Sequence, residues 1–367
     1  MTDGNDRSIL VWDLPTRLFH WLLAGAVLAA WLTGEADALL AWHVFFGTAV
    51  LLLIPFRLVW GILGSLHARF SNFIQPWPVV RHYLLALLQR KAPRYIGHNP
   101  AAGWAIVLLM TLSFLTALLG FASIGGEEQR GPLATLLSYW QGKLFGELHE
   151  GLANGLMALV IVHLTGVIVG SLVHRENLIA AMLHGRKIVN DRDEPVAIIR
   201  PYRAVAILPI LLLLLAAWQT PRLLATTPLV QNDSWNRACS DCHLPFHPSL
   251  LPRDSWLAML EPGAAHFGDI LALDAATTET LKQFVLAHGA GSGSMTTGAG
   301  NRIVHSIAAG KTPWRIIETP YWLRKHRKIK DSLWNHHEVR SKVRCEACHK
   351  DARTGLFEKQ AIQMPQP

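Results

Sequence analysis

Four long apolar runs dominate the first half of the 367-residue chain. They cover residues 14–33, 41–63, 103–122 and 147–173. Each is close to the length of about 20 residues that a helix needs to cross a lipid bilayer. A fifth run, 204–218, spans only 15 residues, which is short for a membrane-spanning helix. The runs predict four transmembrane helices, and other features must decide what the fifth run does.

Basic residues are distributed unevenly among the loops between these runs. The loop between the first two runs has Glu35 and Asp37 but no Lys or Arg, and the loop between the third and fourth has only Arg130 and Lys143. The loops after the second and fourth runs hold most of the others: Arg69, Arg81, Arg90, Lys91, Arg94, Arg175, Arg186, Lys187, Arg192, Arg200 and Arg203. Cytoplasmic loops are enriched in Lys and Arg, so the N-terminus is predicted to be cytoplasmic. If the fifth run also crosses, the C-terminal region lies outside.

Composition supports a membrane protein. Hydrophobic residues make up 51% of the chain and charged residues only 16%, whereas soluble domains have about 25% charged residues. The net charge of +8 does not indicate nucleic-acid binding, because topology accounts for the basic loops of the N-terminal half.

The motif Cys-x-x-Cys-His occurs twice in the polar C-terminal part and contains all four cysteines. The first copy, "ACSDCH", has Cys239, Cys242 and His243; the second, "RCEACH", holds the set Cys345, Cys348 and His349. Two such thiols can form thioethers to a haem while the following His binds its iron. Zinc sites and thioredoxin-like centres also use Cys-x-x-Cys, but they leave the repeated His unexplained. The motifs predict two covalently bound c-type haems, which are attached outside the cytoplasm.

The second axial ligand of each predicted c haem is less constrained. We expect His266 for the first, because it lies between the helix-like "DSWLAML" and the amphipathic stretch "LDAATTETLKQFVLAH". For the second we expect His326, with His247 as the alternative, because His247 is too close to His243 to reach the same iron. A surface position explains any one of these histidines equally well, and Met ligands stay open: Met259, Met295 and Met364.

Four histidines lie in the apolar runs, where an ionisable residue is costly and commonly functional. His149 and His163 are 14 residues apart, which puts them on nearly the same helix face about 21 Å apart. This spacing suits two stacked b-type haems. Topology pairs His43 with His149 near the outer side and His20 with His163 near the inner side. For a single such His, a hydrogen bond between helices is the alternative.

Further charged residues lie near these histidines. Arg17 and Arg57, at the inner ends of their helices, are expected to meet haem propionates, although positive-inside anchoring also explains them. Loop histidines are predicted to be solvated: His67, His82, His174 and His184.

Two resemblances follow from these residues. Residues 8–187 resemble the bacterial cytochrome b561 and nickel-iron hydrogenase cytochrome b family, in "VWDLPTRLFHWLL", "WHVFFGTAVLLLIPFRLVWGILG", "YIGHNPAAG" and "LHEGLANGLMALVIVHLTGVIVGSLVHREN". The family implies a four-helix bundle, quinone exchange and two b haems on the four histidines above. Residues 233–365 resemble the dihaem cytochrome c family that partners the Sphaeroides haem protein, in "CSDCHLPFHPSLLPRDSWLAML", "HFGDILALDAATTETL", "TPYWLRKHRKI" and "CEACHKDARTGLFEKQAI". That family implies bis-histidine ligation. Neither family supplies the apolar link at 204–218.

The sequence therefore predicts an all-α chain in three parts. Residues 1–190 form a four-helix transmembrane dihaem bundle, residues 191–230 a linker with a fifth transmembrane helix at about 204–218, and residues 231–367 a mostly helical, two-lobed dihaem cytochrome c domain. A Gly/Ser-rich stretch at 289–301 is expected to join the lobes flexibly.

The expected activity is that of an electron-transfer oxidoreductase in a bacterial inner membrane. Electrons from the quinol pool would pass through two b haems and two c haems to a periplasmic acceptor, such as an oxygen-binding haem protein. Glu147 and Glu150 flank His149 as proton acceptors for quinol, although two acids at a helix start also favour its dipole. The reverse flow, in a quinone-reducing subunit of a periplasmic dehydrogenase, and a haem sensor are the alternatives. Whether the chain forms a homodimer is left open.

Overall fold

The structure is a computed structural model that describes residues 7–189, 202–226, 228–290, 298–308 and 310–365. The α-helices of these residues are α1 (Leu14–Gly34), α2 (Leu40–Leu63), α3 (Phe70–Phe73), α4 (Trp77–Leu88), α5 (Pro100–Gly126), α6 (Tyr139–His174), α7 (Leu178–His184), α8 (Ile207–Leu223), α9 (Asp233–Cys239), α10 (Arg253–Met259), α11 (Ala275–His288), α12 (Gly298–Ser306), α13 (Pro320–His326) and α14 (Asp331–Trp334). The strands are β1 (Arg7–Leu10), β2 (Arg186–Val189), β3 (Ala265–His266) and β4 (Asp269–Ile270). Short 3₁₀ helices cover Asp37–Leu39, Leu66–Ala68, Pro248–Leu250, Ile316–Glu318, Cys345–Ala347, Ala352–Thr354 and Lys359–Ala361.

Mostly helical architecture confirms the predicted fold class. Within the described ranges, two small antiparallel pairs of strands are the exception: β1 with β2, and β3 with β4. Residues up to 121, together with 145–222, form one compact unit, and residues 122–144 with 223–367 form a second. Residues 122–144 thus belong to the unit that contains the cysteine motifs. The predicted boundary at residue 190 puts them in the other domain.

Four helices in the part of the chain that the structure describes are long and apolar enough to cross a membrane: α1, α2, α5 and α6. They coincide with the four predicted spans. Large apolar side chains point away from the protein on them, and Ile62 and Leu172 are 70% and 72% exposed. Such surfaces suit lipid rather than water. The chain is therefore a membrane protein.

Helix α6 begins eight residues before the predicted start at Glu147. The backbone N–H of Ser138 donates to the side-chain oxygen of Gln141 over 2.9 Å, and the N–H of Gln141 donates to Ser138 Oγ over 3.3 Å. This reciprocal arrangement is a capping box, which fixes a helix N-terminus. The first turns, "YWQGK", are too polar to reveal the helix by hydropathy.

Helices α1 and α2 form the core of the first unit. Leu53 is fully buried, and Ala216 of α8 is buried in the same apolar cluster. Asp13 caps α1 by accepting from the backbone N–H of Thr16 over 2.9 Å. The shorter helix α8 therefore packs with the membrane-length helices.

The core of the second unit is built mainly by α9, α10 and α11. Trp235, Trp256 and Phe284 pack together, and Leu281 and Val285 of α11 are fully buried beside them. The predicted helical stretches at "DSWLAML" and "LDAATTETLKQFVLAH" correspond to α10 and α11. Residues 291–297 of the predicted flexible join lie outside the described ranges, while residues 298–301 begin α12, so this part of the join is helical.

We predict that Leu281→Ala destabilises the second unit by about 2–5 kcal/mol, because it leaves a cavity in a closely packed core. Leu286→Ala, on the same helix at a side chain that is 41% exposed, should change stability by less than about 1 kcal/mol. Denaturant unfolding of the two variants, followed by tryptophan fluorescence, measures the difference. Equal losses for both variants would contradict the placement of Leu281 in the core.

Candidate haem-binding sites

Three of the four predicted histidine pairs have their rings close together. The ring centres are 5.8 Å apart for His43 and His149, 6.2 Å for His243 and His266, and 6.2 Å for His326 and His349. A metal–imidazole nitrogen bond is about 2 Å long and the ring centre lies about 1 Å beyond, so two axial imidazoles on one metal ion have ring centres about 6 Å apart. The three pairs have the separation that an iron between them requires.

The orientation of one ring in each of these pairs is set by a hydrogen bond from Nδ1 to a backbone carbonyl. His243 donates to Leu244 O over 2.7 Å, and His326 donates to Trp322 O over 2.9 Å. A ligating His commonly donates its other N–H in this way, which fixes the tautomer and leaves Nε2 as the metal ligand. These rings are therefore prepared to bind a metal through Nε2.

The outer membrane pair has such a hydrogen bond on both rings. His43 Nδ1 donates to Ala30 O over 2.9 Å, and His149 Nδ1 donates to Thr116 O over 2.7 Å. The acceptors lie on α1 and α5, so four helices contribute to this pair. A methyl group on Gly120 would lie 2.9 Å from the His149 ring, which is too close for a side chain. Gly120 therefore leaves the space that the ring occupies.

At the first motif, local structure positions both histidines. Cys239 ends α9, and His243 lies in the following loop against the ring of Phe246. The indole N–H of Trp235 donates to Phe246 O over 3.0 Å and holds this loop. His266 ends β3 of a tight hairpin, in which Phe267 and Gly268 both have positive φ. Two positive φ values are typical of a two-residue type I′ turn, where Gly is favoured.

At the second motif, a 3₁₀ turn over Cys345–Ala347 leads into His349, whose N–H donates to Cys345 O over 2.8 Å. His326 ends α13 and stacks on Trp322 at 4.2 Å. Burial lowers the pKa of His326. Burial also lowers the pKa of His349, and the neighbouring His326 ring adds to that shift. Both rings are thus held in the neutral form that binds metals.

Cys239 and Cys345 of the motifs are not activated thiols. Burial raises the pKa of Cys239 to about 11 and that of Cys345 to about 12, with Glu346 adding to the second shift. Thioredoxin-like centres instead have lowered thiol pKa values. The environment of these thiols does not suit that alternative.

The alternative ligand His247 has no free ring nitrogen. Its Nε2 donates to Val230 O over 3.0 Å, and its Nδ1 accepts from the N–H of Ser249 over 3.2 Å. Only 5% of the residue is exposed. These hydrogen bonds fit a structural role, and the geometry favours His326 for the second motif.

The inner pair and the two arginines assigned to its haem have buried polar atoms without hydrogen-bond partners. His20 is within electrostatic reach of His163, and its Nδ1 is buried without a hydrogen-bond partner. Arg57, 2% exposed, donates from one Nη to Ala68 O over 2.9 Å, and its other Nη is buried without a partner. The Nε of Arg17 is also buried without a hydrogen-bond partner. Unpartnered guanidinium donors suit an anionic group such as a haem propionate.

Sequence reasoning missed three residues of this region. His67 was expected to be solvated but is only 8% exposed, because it lies against Trp12. His98 is half-buried between Trp12 and Phe73, with ring centres 4.4 and 4.5 Å away. The buried carboxylate of Asp13 accepts from the indole N–H of Trp60. Only the burial of these polar residues distinguishes them, and burial is a tertiary property.

Glu147 and Glu150 are exposed on α6, on either side of His149. Since α6 begins at Tyr139, both lie beyond its first turn. The effect of a helix dipole is confined to the terminal turns, so the dipole explanation for these two acids is wrong.

Comparison with known proteins agrees with this geometry. Residues 11–185 match the family model of prokaryotic cytochrome b561, and residues 235–357 match that of dihaem cytochrome c. Probable Ni/Fe-hydrogenase B-type cytochrome subunits are among the relatives. That of Rhizobium leguminosarum bv. viciae is 23% identical over 51% of this chain and 92% of the relative; that of Azotobacter vinelandii is 28% identical over 53% and 95%.

Solved structures similar to the C-terminal part are dihaem c-type cytochromes. The one from Rhodobacter sphaeroides is 31% identical, covers 36% of this chain and 100% of that protein, and has a TM-score of 0.31. The one from Shewanella baltica is 26% identical, with 37% and 95% covered and a TM-score of 0.29.

The fold and sites define a membrane-bound haem protein of the electron-transfer class. The chain has a cytochrome b561 domain in its N-terminal part, at residues 11–185, and a dihaem cytochrome c domain in its C-terminal part, at residues 235–357.

We predict that Gly120→Val displaces the His149 ring and weakens b-type haem binding about tenfold or more. Covalently bound haem should be unchanged, because the cysteine motifs lie in the other unit. Leu118→Val on the same helix, where the side chain is 42% exposed, serves as the control. Haem difference spectra of the purified variants measure b and c content, and full b content in Gly120→Val would contradict the proposed closeness of α5 to His149.

Proposed function

We propose that this protein holds two b and two c haems and carries electrons from membrane quinol through the b haems to the c haems and a periplasmic acceptor. Iron in haem supplies one-electron chemistry, and the protein supplies ligands, burial and orientation. The observation that carries the proposal is the set of histidine rings paired about 6 Å apart, two pairs of which include a Cys-x-x-Cys-His histidine.

The proposed ligands follow from the pairs. His43 with His149 and His20 with His163 bind the outer and inner b haems, and the inner propionates meet Arg17 and Arg57. The c haems are bound by two sets: Cys239, Cys242, His243 and His266, and Cys345, Cys348, His349 and His326. Paired rings with a carbonyl-bonded Nδ1 support bis-histidine ligation at the outer b site and both c sites.

Five membrane spans are proposed, with the N-terminus in the cytoplasm and the cytochrome c domain in the periplasm of a bacterial inner membrane. Two observations support a spanning role for α8. It packs in the same apolar cluster as α1 and α2, and its 17 residues reach about 25 Å. The α5–α6 loop also belongs to the same compact unit as the cysteine motifs. An odd number of spans puts that loop and the C-terminal domain on one side.

Quinol is the proposed donor. Glu147 and Glu150, exposed beside His149, are the proposed proton acceptors at the outer side. The proposed acceptor is a periplasmic redox protein, such as an oxygen-binding cytochrome of the Sphaeroides haem protein kind.

A second candidate is the reverse flow, from a periplasmic dehydrogenase through the c haems to quinone. The curated relatives favour it, since they are named as subunits of Ni/Fe-hydrogenases. Reduction potentials of the c haems discriminate between the two: values far below the quinone couple favour the reverse direction.

Purified protein is predicted to contain b and c haem in equal amounts. His43→Ala should remove one b haem and leave the covalent haem intact, because His43 and His149 bind the same iron in this proposal. His82→Ala, at an exposed histidine on α4, is the matched control. Pyridine haemochrome spectra measure both contents. Retention of two b haems in His43→Ala would show that the ligand pairing is wrong.

Anaerobic addition of a quinol analogue is predicted to reduce both b and c haems, and carbon monoxide should bind neither c haem, because two histidines occupy the axial positions. Stopped-flow absorption spectra follow the reduction. Reduction of the b haems alone would refute the proposed route, and carbon monoxide binding to a c haem would refute its bis-histidine ligation.

A further inference from the structure

The segment 122–144 links two membrane helices but belongs to the second compact unit. It contains the end of α5, the loop that follows and the start of α6. Gly126 and Gly142 bring the two helix ends together, because a methyl group on Gly126 would lie 2.6 Å from Gly142 Cα. The amide of Gln129 donates to Gly126 O over 2.7 Å and closes the turn. The loop between α5 and α6 is thus a built structure, covalently fixed to both helices.

One buried ion pair joins this segment to α12. Arg302 donates from Nη1 and Nη2 to the two carboxylate oxygens of Glu128, over 2.8 and 3.0 Å. Nε of Arg302 donates to the hydroxyl oxygen of Tyr321 over 3.1 Å. The side chains of Arg302 and Glu128 are only 10% and 15% exposed. A bidentate pair of this kind fixes geometry as well as charge.

The carboxylate of Glu128 is ionised at neutral pH. Burial alone would raise its pKa, but the charge and hydrogen bonds of Arg302, followed by the charges of Lys359 and Arg130, lower it to about 2. Among the residues that the structure describes, Arg302 without Glu128 keeps only a longer ion-pair contact of 3.8 Å with Glu127, and Glu128 without Arg302 keeps only one of 3.8 Å with Lys359. Either change therefore leaves a largely buried charge poorly compensated, which is unfavourable.

A second ion pair has the opposite polarity. Arg130 of the segment lies 2.9 Å from Glu358 near the C-terminus, with side chains that are 7% and 17% exposed. The segment therefore contributes the acidic residue, Glu128, to one pair and the basic residue, Arg130, to the other. Two ion pairs of opposite polarity can both form in only one alignment of the segment and the surface that it contacts. A shifted alignment would bring like charges together, which is unfavourable.

Aromatic contacts accompany the charges. The His305 ring of α12 stacks on Tyr139 at 4.6 Å with an interplanar angle of 12°, and Trp140 lies 5.5 Å away. His305 and Arg302 are three residues apart and share a helix face. This face of α12 is directed at the segment.

Ordinary surface ion pairs contribute little to the stability of a fold. The pair Arg315–Glu318, with side chains that are about half exposed, is of this kind. The two pairs of opposite polarity differ in burial and geometry. Buried ion pairs are seldom the most stable way to pack two surfaces, and alignment is one role for which they are retained.

We propose that the pairs Glu128–Arg302 and Arg130–Glu358 form a docking clamp that holds the cytochrome c domain at the loop between α5 and α6. Because this loop is continuous with α5 and α6 along the chain, the clamp ties the cytochrome c domain to the ends of these two helices and assists electron transfer between b and c haems. This inference rests on the proposed function for its effect on electron flow, but the docking contact is testable without it.

Two readouts on the full-length haem-loaded protein test the clamp. The variants are Glu128→Gln, Arg302→Gln and the double variant, with Glu318→Gln as the control in an exposed pair of the same unit. Hydrogen exchange of backbone amides in residues 127–138 reports docking. Stopped-flow spectra with a quinol analogue report the rates of b and c haem reduction separately.

We expect faster exchange in residues 127–138 and about tenfold slower c-haem reduction in each single variant, with b-haem reduction within about twofold of the wild type. The double variant should be no slower than the worse single variant, because the two residues act through each other. Glu318→Gln should match the wild type.

Unchanged exchange in the single variants overturns the clamp, as does faster exchange with an unchanged rate of c-haem reduction. Multiplicative slowing in the double variant also overturns it, because the residues would then act independently. If quinol reduces no c haem in the wild type, the proposed function fails, and the exchange result alone decides the docking contact.

Discussion

Paired imidazole rings are the constraint on which the rest of this structure depends. A ring separation near 6 Å matches that of two imidazoles bound to one metal ion, and it recurs at His43–His149, His243–His266 and His326–His349, in both compact units. Hydrogen bonds from Nδ1 to backbone carbonyls hold one ring or both in each pair. The backbone thereby fixes the tautomer and leaves Nε2 of these rings available to a metal.

The surrounding structure serves these pairs by different means in the two units. In the membrane unit, long helices fix the depth of each ring, and a glycine at residue 120 leaves room for one of them. In the C-terminal unit, short helices and turns position the rings. The hairpin at Phe267 and Gly268 positions His266, and the last turn of α13 positions His326. The cytochrome c domain is held together by a small aromatic core.

Much of the fold and the candidate sites could be predicted from the sequence, because the signals are local. Apolar runs mark the membrane helices, Cys-x-x-Cys-His marks the covalent sites, and the spacing of 14 residues between His149 and His163 predicts their shared face. The start of α6 was missed although the capping box of Ser138 and Gln141 was visible, since hydropathy ignores caps. The burial of His67, the ring contacts of His98 with Trp12 and Phe73, and the contact between Glu128 and Arg302 across 174 residues depend on tertiary packing that no local pattern records.

The central claim is that each iron would lie between two histidines of this chain. Near-infrared magnetic circular dichroism of the fully oxidised protein tests it most directly, because bis-histidine, histidine–methionine and high-spin ferric haems give different bands. The account predicts low-spin bis-histidine signals alone, from all haems of the purified protein. A histidine–methionine band, or a high-spin haem at one or more sites, would contradict it.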